Sequence, residues 1–260
     1  MKQHAINDSE SKLWNSTHKN KGYSNKVFSL LDSDRVLAKV KFSIEKSFNY
    51  NSAIRVLIPG CGSNPNLQVC CRDALGEFAI IDALDWSQDA IDISKAQTDS
   101  LGIDVSYFRQ SYYDLSLTES SYDLVVLSNA IVSQSNDNNV LAMTNLSRLL
   151  KRGGRFMGFF PSPFNMLDYA LTNPEARRWI SNGTVDVANR TIHEDNFGSQ
   201  RFFSPLELYV LLKDLDLEVD VFELFFYDDY RFARQISELY HLSCNPNYCF
   251  WGYFINTIKR

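Results

Sequence analysis

Short apolar runs alternate with amphipathic stretches between about residues 50 and 160. Five runs are rich in β-branched and aromatic residues, and they lie at 55–59, 78–84, 104–109, 123–128 and 155–160. The stretches at 66–76, 87–101 and 140–150 carry apolar residues at helical spacing. Buried strands joined by helices indicate a parallel sheet that is covered on both faces, with right-handed crossovers. The pattern therefore predicts a doubly wound, Rossmann-like α/β fold.

The last third of the chain has a different pattern. A helix is predicted from Ser204-Pro205 to about Asp214, because proline favours the first helical position. Residues 218–226 and 250–258 read as two further strands, and residues 229–242 read as a helix between them. We therefore expect a mostly parallel, seven-stranded sheet with an antiparallel edge strand.

Two regions lie outside this regular pattern. Residues 24–48 read as N-terminal helices, and residues 161–203 read as an irregular insertion after the fifth strand, over the carboxyl edge of the sheet. We therefore divide the chain into residues 1–50, an arm with helices that would act as a lid or cap, and residues 51–260, the main domain. Within the main domain, the insertion would lie on the substrate side.

Charge is distributed unevenly along the chain. The whole chain has a net charge of −5, whereas residues 1–50 hold 9 Lys/Arg and 5 Asp/Glu, which gives a local charge of +4. An acidic chain binds phosphate backbones poorly, so we expect no nucleic-acid partner. The basic cluster of Lys19, Lys21 and Lys26 around Tyr23 fits either a solvated arm or a lid that neutralises an anionic ligand group.

Composition narrows the class of protein further. Hydrophobic residues make up 45% and charged residues 22%, which is ordinary for a globular protein. No run approaches ~18 uninterrupted apolar residues and the N-terminus lacks an apolar signal core, so we expect neither a membrane span nor export. The five cysteines and four histidines have no metal-ligand spacing, so we expect no metal and a reducing cytoplasm. The sequence leaves open whether the protein assembles as a homodimer.

The most informative segment is a strand that runs into a Gly-x-Gly turn, Gly60-Cys61-Gly62, and then into a helix. Glycine lets the backbone turn sharply and approach a ligand, and the following helix offers free N–H groups. Asp85 stands 25 residues after Gly60, where doubly wound folds place an acceptor for ribose hydroxyls, and Trp86 follows it. Taken singly, these residues also fit a plain turn, a helix-flanking acid and a rim aromatic.

Five segments in order resemble the motifs of the class I S-adenosylmethionine-dependent methyltransferases. They are VLIPGCGSN, LDWSQDAIDISK, VSYFRQSYYDLSL, SYDLVVLSNAIV and LLKRGGRFMGFF. The resemblance covers about residues 53–160 and continues more weakly through SPLELYVLLKDLDLEV. It implies that the protein is an enzyme with S-adenosylmethionine as cofactor and S-adenosylhomocysteine as product.

The resemblance also implies roles for the residues at the motif positions. Gly60, Cys61 and Gly62 would pass close to the methionine part of the cofactor. Asp85 would hold the ribose hydroxyls, and Trp86 would touch the adenine ring.

Three further positions would complete the cofactor site. Ser111 stands where the family commonly has an acidic residue that bonds the adenine amino group, and Tyr112 would follow with its backbone N–H. Asn129 would lie beneath the sulfonium and face the acceptor. Ser111 is a weaker acceptor than a carboxylate, and Pro59 stands where many members carry an acidic residue. A catalytically silent member that binds the cofactor or a protein partner is therefore the alternative.

Other nucleotide-binding folds fit the sequence less well. The dinucleotide fingerprint needs a third glycine, and Pro65 stands in its place. A Walker loop needs Gly-Lys-Ser/Thr, which does not occur in the sequence. The glycine-rich and acidic segments expected of an aminopropyl transferase are not seen in the sequence either.

The acceptor is harder to identify than the cofactor. Residues 151–260 hold 22 of the 35 aromatic residues, which fits either the core of the late strands or a pocket for a small, partly apolar molecule. His193, beside Glu194 and Asp195, and Asp228, beside Asp229, are the candidate catalytic bases. Both segments also fit solvated loops. We expect residues 161–203 and the N-terminal arm to roof a pocket above Asn129, with His193 or Asp228 pointing into it.

Overall fold

A computed structural model of the protein describes residue 31 and residues 33–49, 51–194 and 198–260. The basic cluster around Tyr23, together with Asp195, lies outside the described residues. None of the helices in the described part of the chain is both long enough and apolar enough to cross a membrane.

The centre of the fold is a seven-stranded sheet with the order β3-β2-β1-β4-β5-β10-β9. Six of its strands run parallel, and β10 runs antiparallel to both of its neighbours. The strands are β1 Ile54–Pro59, β2 Ala79–Asp85, β3 Val105–Arg109, β4 Tyr122–Ser128, β5 Leu150–Pro161, β9 Leu217–Phe226 and β10 Trp251–Lys259. This confirms the predicted mostly parallel sheet of seven strands.

The antiparallel strand lies one place in from the edge of the sheet. The chain leaves β9 at the carboxyl edge, forms a helix at Tyr230–Leu239, and re-enters the sheet at that same edge. β10 must therefore run back toward the opposite edge, between β5 and β9.

Helices cover both faces of the sheet. They are α1 Asp34–Ser47, α2 Asn66–Leu75, α3 Gln88–Ser100, α4 Asn136–Leu149, α5 Pro163–Thr172, α6 Arg178–Ser181, α7 Pro205–Asp214 and α8 Tyr230–Leu239. Neighbouring residues of a strand enter opposite cores: Val56 and Ile58 pack with α1 and α2, whereas Leu57 packs with α4 and α7. The strands are therefore buried on both faces, which explains their continuous apolar runs.

The insertion after β5 is more ordered than the sequence predicts. It contains α5, α6 and a small antiparallel sheet made of β6 Val185–Asp186, β7 Thr191–Glu194 and β8 Gly198–Arg201. The prediction of an irregular segment was wrong because these strands are short and mostly polar. The start of α5 did carry a signal: Ser162 caps the helix and Pro163 occupies its first turn, as Ser204-Pro205 do for α7.

Candidate functional site

The turn after β1 has a backbone that favours glycine at two positions. Gly60 and Gly62 have φ angles of +63° and +60°, in the left-handed region. A Cβ built on Gly62 would have no atom within 4 Å, so the space above this residue is open. A Cβ built on Gly60 would overlap the hydroxyl of Tyr112 and lie 2.6 Å from the Cβ of Ala130. The turn therefore presents bare backbone toward the carboxyl edge, with Tyr112 against its first glycine.

Asp85, the last residue of β2, supports this turn. Its Oδ2 accepts a hydrogen bond from the Gly62 N–H at 3.0 Å, and its Oδ1 accepts one from the Ser87 N–H at 2.9 Å. Burial raises the pKa of Asp85, and the N–H donors of Ser87, Gly62 and Trp86 oppose that shift. Each carboxylate oxygen has a second lone pair, so the side chain can still accept hydrogen bonds from a pair of hydroxyls.

The ends of β2 and β3 bring the other predicted cofactor residues together. The Gln110 N–H donates to the Asp85 carbonyl at 3.0 Å, which fixes the start of the loop after β3 beside β2. Ser111 follows at once, and its Oγ accepts a hydrogen bond from the Tyr113 N–H at 3.2 Å. Trp86 is half-buried, and its carbonyl accepts a hydrogen bond from Arg109. The predicted ribose and adenine contacts therefore share one edge of the sheet.

Tyr112 reaches across this loop toward β1 and β4. Its carbonyl accepts a hydrogen bond from Asn145 Nδ2 at 2.8 Å, which anchors its backbone on α4. Burial raises the pKa of the Tyr112 phenol well above its usual range, and the nearby Asp85 carboxylate and Cys61 thiol add to the shift. The family resemblance implies only a backbone role for Tyr112. The structure adds an uncharged phenol at the first glycine of the turn. The sequence does not reveal this contact, because side-chain direction within a loop has no sequence signature.

Asn129 follows β4 at the same edge. Its φ of +50° is left-handed, a conformation that asparagine tolerates better than most residues, and its N–H donates to the Phe159 carbonyl at 3.0 Å. Its side-chain Oδ1 is buried and has no hydrogen-bond partner within the part of the chain that the structure describes. A buried acceptor without a donor is costly, so this oxygen is suited to receive one from a ligand.

The two predicted bases lie on exposed parts of the chain. His193 is exposed on β7, where its Nδ1 lies 2.7 Å from Ser199 Oγ. Asp228 has a side chain that is 75% exposed, and its carboxylate pairs with Arg35 at 3.0 Å. Their contacts with Ser199 and Arg35 do not link either residue to Asn129. Their assignment as bases stays a prediction.

The insertion contacts the loop that follows β4 and the start of α4. The Arg201 N–H donates to the Ser133 carbonyl at 3.3 Å, and Asn139 Nδ2 donates to the Arg201 carbonyl at 3.4 Å. The next two residues then enter opposite cores: Phe202 packs with the α1 and α2 side and Phe203 packs with the α4 and α7 side. The sequence predicts that the insertion lies over the carboxyl edge, but it does not reveal that these two adjacent phenylalanines enter opposite cores.

The described residues fit S-adenosylmethionine at three points and obstruct it at one. The open space above Gly62 suits the methionine end of the cofactor, and the further lone pairs of Asp85 suit the ribose. The unpartnered oxygen of Asn129 suits the acceptor end of the site. The phenol of Tyr112 occupies the space directly above Gly60. The cradle therefore matches the cofactor in its main features, with the Tyr112 phenol placed against the first glycine.

Comparison with known families agrees with this geometry. Residues 56–154, which run from β1 into β5, match the family described as the methyltransferase domain. No curated protein matches the sequence.

Solved structures share the fold at low sequence identity. An S-adenosylmethionine-dependent methyltransferase from Methanosarcina mazei is 16% identical, with a TM-score of 0.62 over 84% of this chain and 96% of that chain. Magnesium protoporphyrin IX methyltransferase from Synechocystis, crystallised with bound S-adenosylmethionine, is 11% identical, with a TM-score of 0.60 over 96% of this chain and 97% of that chain. A [4+2]-cyclase is 14% identical, with a TM-score of 0.56 over 85% of this chain and 80% of that chain.

The glycine turn, the acid at the end of β2 and the strand order thus agree with the family match. Residues 56–154 match the methyltransferase domain family, and the chain shares its fold with a solved S-adenosylmethionine-dependent methyltransferase.

Proposed function

We propose that the protein transfers a methyl group from S-adenosylmethionine to an oxygen or nitrogen atom of a small, partly apolar molecule. The observation that carries this choice is the buried, unpartnered Oδ1 of Asn129 at the end of β4. An amide oxygen accepts hydrogen bonds and donates none. A molecule that satisfies this oxygen must present an O–H or N–H group, as an alcohol, phenol or amine does.

The protein's part in such a reaction is positioning. When bound, S-adenosylmethionine supplies a methyl group that is already activated by the positive sulfonium. Asn129 is held at its backbone by the hydrogen bond to Phe159, so its side chain starts from a fixed point. Its Oδ1 would accept a hydrogen bond from the O–H or N–H of the acceptor group. That bond would orient the group so that a lone pair on its oxygen or nitrogen points toward the methyl carbon. Alignment of this kind accounts for much of the rate of a transfer between two bound molecules.

The acceptor pocket would be built from the insertion and the sheet edge. Arg201 is tied to the loop after β4, and the buried rings of Phe203 and Phe160, 6.3 Å apart, anchor the end of the insertion in the core beneath this edge. A pocket between the insertion and the sheet edge would suit a small, partly apolar ligand. Residues 161–203 and the N-terminal arm would roof this pocket. His193 and Asp228 remain the proposed bases for an acceptor that must lose a proton.

The wider setting follows from charge and composition. A chain with a net charge of −5 is a poor partner for nucleic acid, which supports a small-molecule acceptor. We propose a cytoplasmic protein that acts without a membrane, a metal or a nucleic acid, and that assembles as a monomer or a homodimer.

The test combines cofactor binding with a methyl-transfer assay. Calorimetry with S-adenosylhomocysteine should show binding, and labelled S-adenosylmethionine should label small phenols, alcohols or amines. Asn129→Ala should lower kcat/KM by about tenfold, the equivalent of one lost hydrogen bond, and leave S-adenosylhomocysteine binding nearly unchanged. The control is Asn189→Ala, because Asn189 lies in an exposed turn where it bonds Asp186. Label in transfer RNA, or full activity in Asn129→Ala, would contradict the proposal.

A catalytically silent member of the family is the second candidate. The observation that favours it is the Tyr112 phenol in the cofactor cradle. The fold is shared with a [4+2]-cyclase, which is described by a reaction other than methyl transfer, so the fold alone does not require methyl transfer. Binding of S-adenosylmethionine without methylated product across a broad panel of acceptors would favour this candidate. Product formation would eliminate it.

A further inference from the structure

The phenol of Tyr112 fills the space that opens at the first glycine of the turn. A Cβ on Gly60 would overlap the Tyr112 hydroxyl and would lie 3.2 Å from the ring carbon that carries it. The hydroxyl is thus within contact distance of the Gly60 backbone. Glycine at this position therefore makes room for an atom of the protein itself, in the structure without a ligand.

The same phenol lies against the turn that Asp85 supports. The Gly62 N–H donates to Asp85 Oδ2, and the Tyr112 hydroxyl contacts Gly60 two residues earlier in that turn. The Cβ of Ala130, directly after Asn129, lies 2.6 Å from the same Cβ position on Gly60. The phenol and Ala130 therefore share the space beside the first glycine.

We infer that Tyr112 controls access to the cofactor site: its ring occupies part of the cofactor's space, and the cofactor binds only after the ring has turned away. This inference rests on the proposed function, because it requires that the cofactor lie above Gly60. It goes beyond that function by naming a residue of this chain that competes with the cofactor.

The backbone around Tyr112 permits such a movement without rebuilding the loop. Asn145 holds the Tyr112 carbonyl, and the Ser111 hydroxyl holds the N–H of Tyr113. With the backbone held in this way, a movement of the ring would occur by rotation about its own side-chain bonds, between staggered rotamers. If only a fraction of molecules have the ring turned away, the apparent affinity for the cofactor falls by that fraction.

The experiment measures S-adenosylhomocysteine binding by calorimetry in four proteins: wild type, Tyr112→Ala, Tyr112→Phe and Tyr113→Ala. Tyr112→Ala removes the ring and should bind about tenfold more tightly than wild type, as expected if the open state is a minor one. Tyr112→Phe keeps the ring and should bind like wild type. Tyr113→Ala is the matched control, because Tyr113 is the adjacent ring of the same loop, with its centroid 6.5 Å from that of Tyr112.

Association kinetics give a second measurement. Followed by tryptophan fluorescence, the observed rate should level off with rising S-adenosylhomocysteine in the wild type, because ring rotation limits it. The rate should rise linearly in Tyr112→Ala. Circular dichroism and a thermal melt confirm that each variant is folded. Tyr112→Leu, which is too short to reach Gly60, replaces Tyr112→Ala if the latter does not fold.

The outcomes separate this inference from the proposed function. Tighter binding in Tyr112→Ala alone supports it, as does binding in Tyr112→Ala when the wild type binds nothing. Wild-type binding that Tyr112→Ala leaves unchanged or weakens overturns the inference and leaves the proposed function standing. The absence of binding in every variant overturns both.

Discussion

Asp85 both stabilises the glycine turn and supplies hydrogen-bond acceptors to the proposed cofactor site. Its two oxygens accept hydrogen bonds from Gly62 and Ser87, so the carboxylate joins the glycine turn to the start of α3. Each oxygen can accept a further hydrogen bond, so the carboxylate remains able to bind ribose hydroxyls. Removal of the carboxylate should therefore weaken ligand binding and also loosen the turn.

Asp85→Ala should weaken S-adenosylhomocysteine binding by about 1–3 kcal/mol, because the ribose loses a charged acceptor. Calorimetry measures the change. Asp89→Ala serves as control, since Asp89 is an exposed residue in the first turn of α3. Equal affinities of wild type and Asp85→Ala would show that Asp85 only braces the loop.

Among the structural elements, α7 has an N-terminus that joins three charged side chains. Ser204 and Glu207 form a capping box, and Glu207 also pairs with Arg190 at 3.1 Å and with Arg201. The Arg201 side chain is only 9% exposed, so Glu207 is the counter-charge of a nearly buried guanidinium. This one carboxylate therefore connects the small sheet of the insertion to the main domain.

Glu207→Ala should lower the free energy of unfolding by about 2–4 kcal/mol, since it removes a cap and leaves a buried cation unpaired. Glu207→Gln keeps the capping geometry and should lose less. The control is Glu218→Ala, whose partner Arg260 is 65% exposed, and which should change stability by less than about 0.5 kcal/mol. Urea denaturation gives the three values, and equal losses for Glu207→Ala and Glu218→Ala would refute the role of Glu207.

The elements that the sequence predicts well are those with a strong local cause. The strands of the main sheet are buried on both faces, so their apolar runs identify them, and Ser87 caps α3 where the sequence places its start. The insertion was harder to predict because β7 and β8 are held by pairing with each other and with the loop after β4. The roles of Tyr112 and Arg201 likewise depend on contacts with residues far away in the sequence.

In the whole molecule, the cysteines differ in exposure and should differ in reactivity. Cys61 and Cys71 are buried, and burial raises the pKa of both thiols well above the usual value. Burial likewise raises the pKa of Cys70 to about 12. Cys244 is exposed. The thiolate is the reactive form, so a buried thiol with a raised pKa should be inert in the folded protein.

Iodoacetamide at pH 8 should therefore label Cys244 in the native protein and leave Cys61, Cys70 and Cys71 unmodified until urea unfolds the chain. Peptide mass spectrometry identifies the cysteines that have been alkylated. Rapid labelling of Cys61 in the native state would mean that the glycine turn opens far more often than its hydrogen bonds allow. Labelling in urea provides the control for reagent access.

The position of β10 in the sheet has a consequence for how the protein is made. β9 joins the seven-stranded sheet through β10 alone, and β10 follows β9 by a helix and a loop. While the ribosome is still adding residues 251–259, the outer edge of β5 has no neighbour and β9 has no sheet to join. Exposed strand edges invite pairing with other chains. A ribosome stalled before this strand would thus hold a nascent chain in which the strands of the cofactor site, β1 to β4, are already synthesised. The unpaired edge of β5 in that chain would be prone to aggregation.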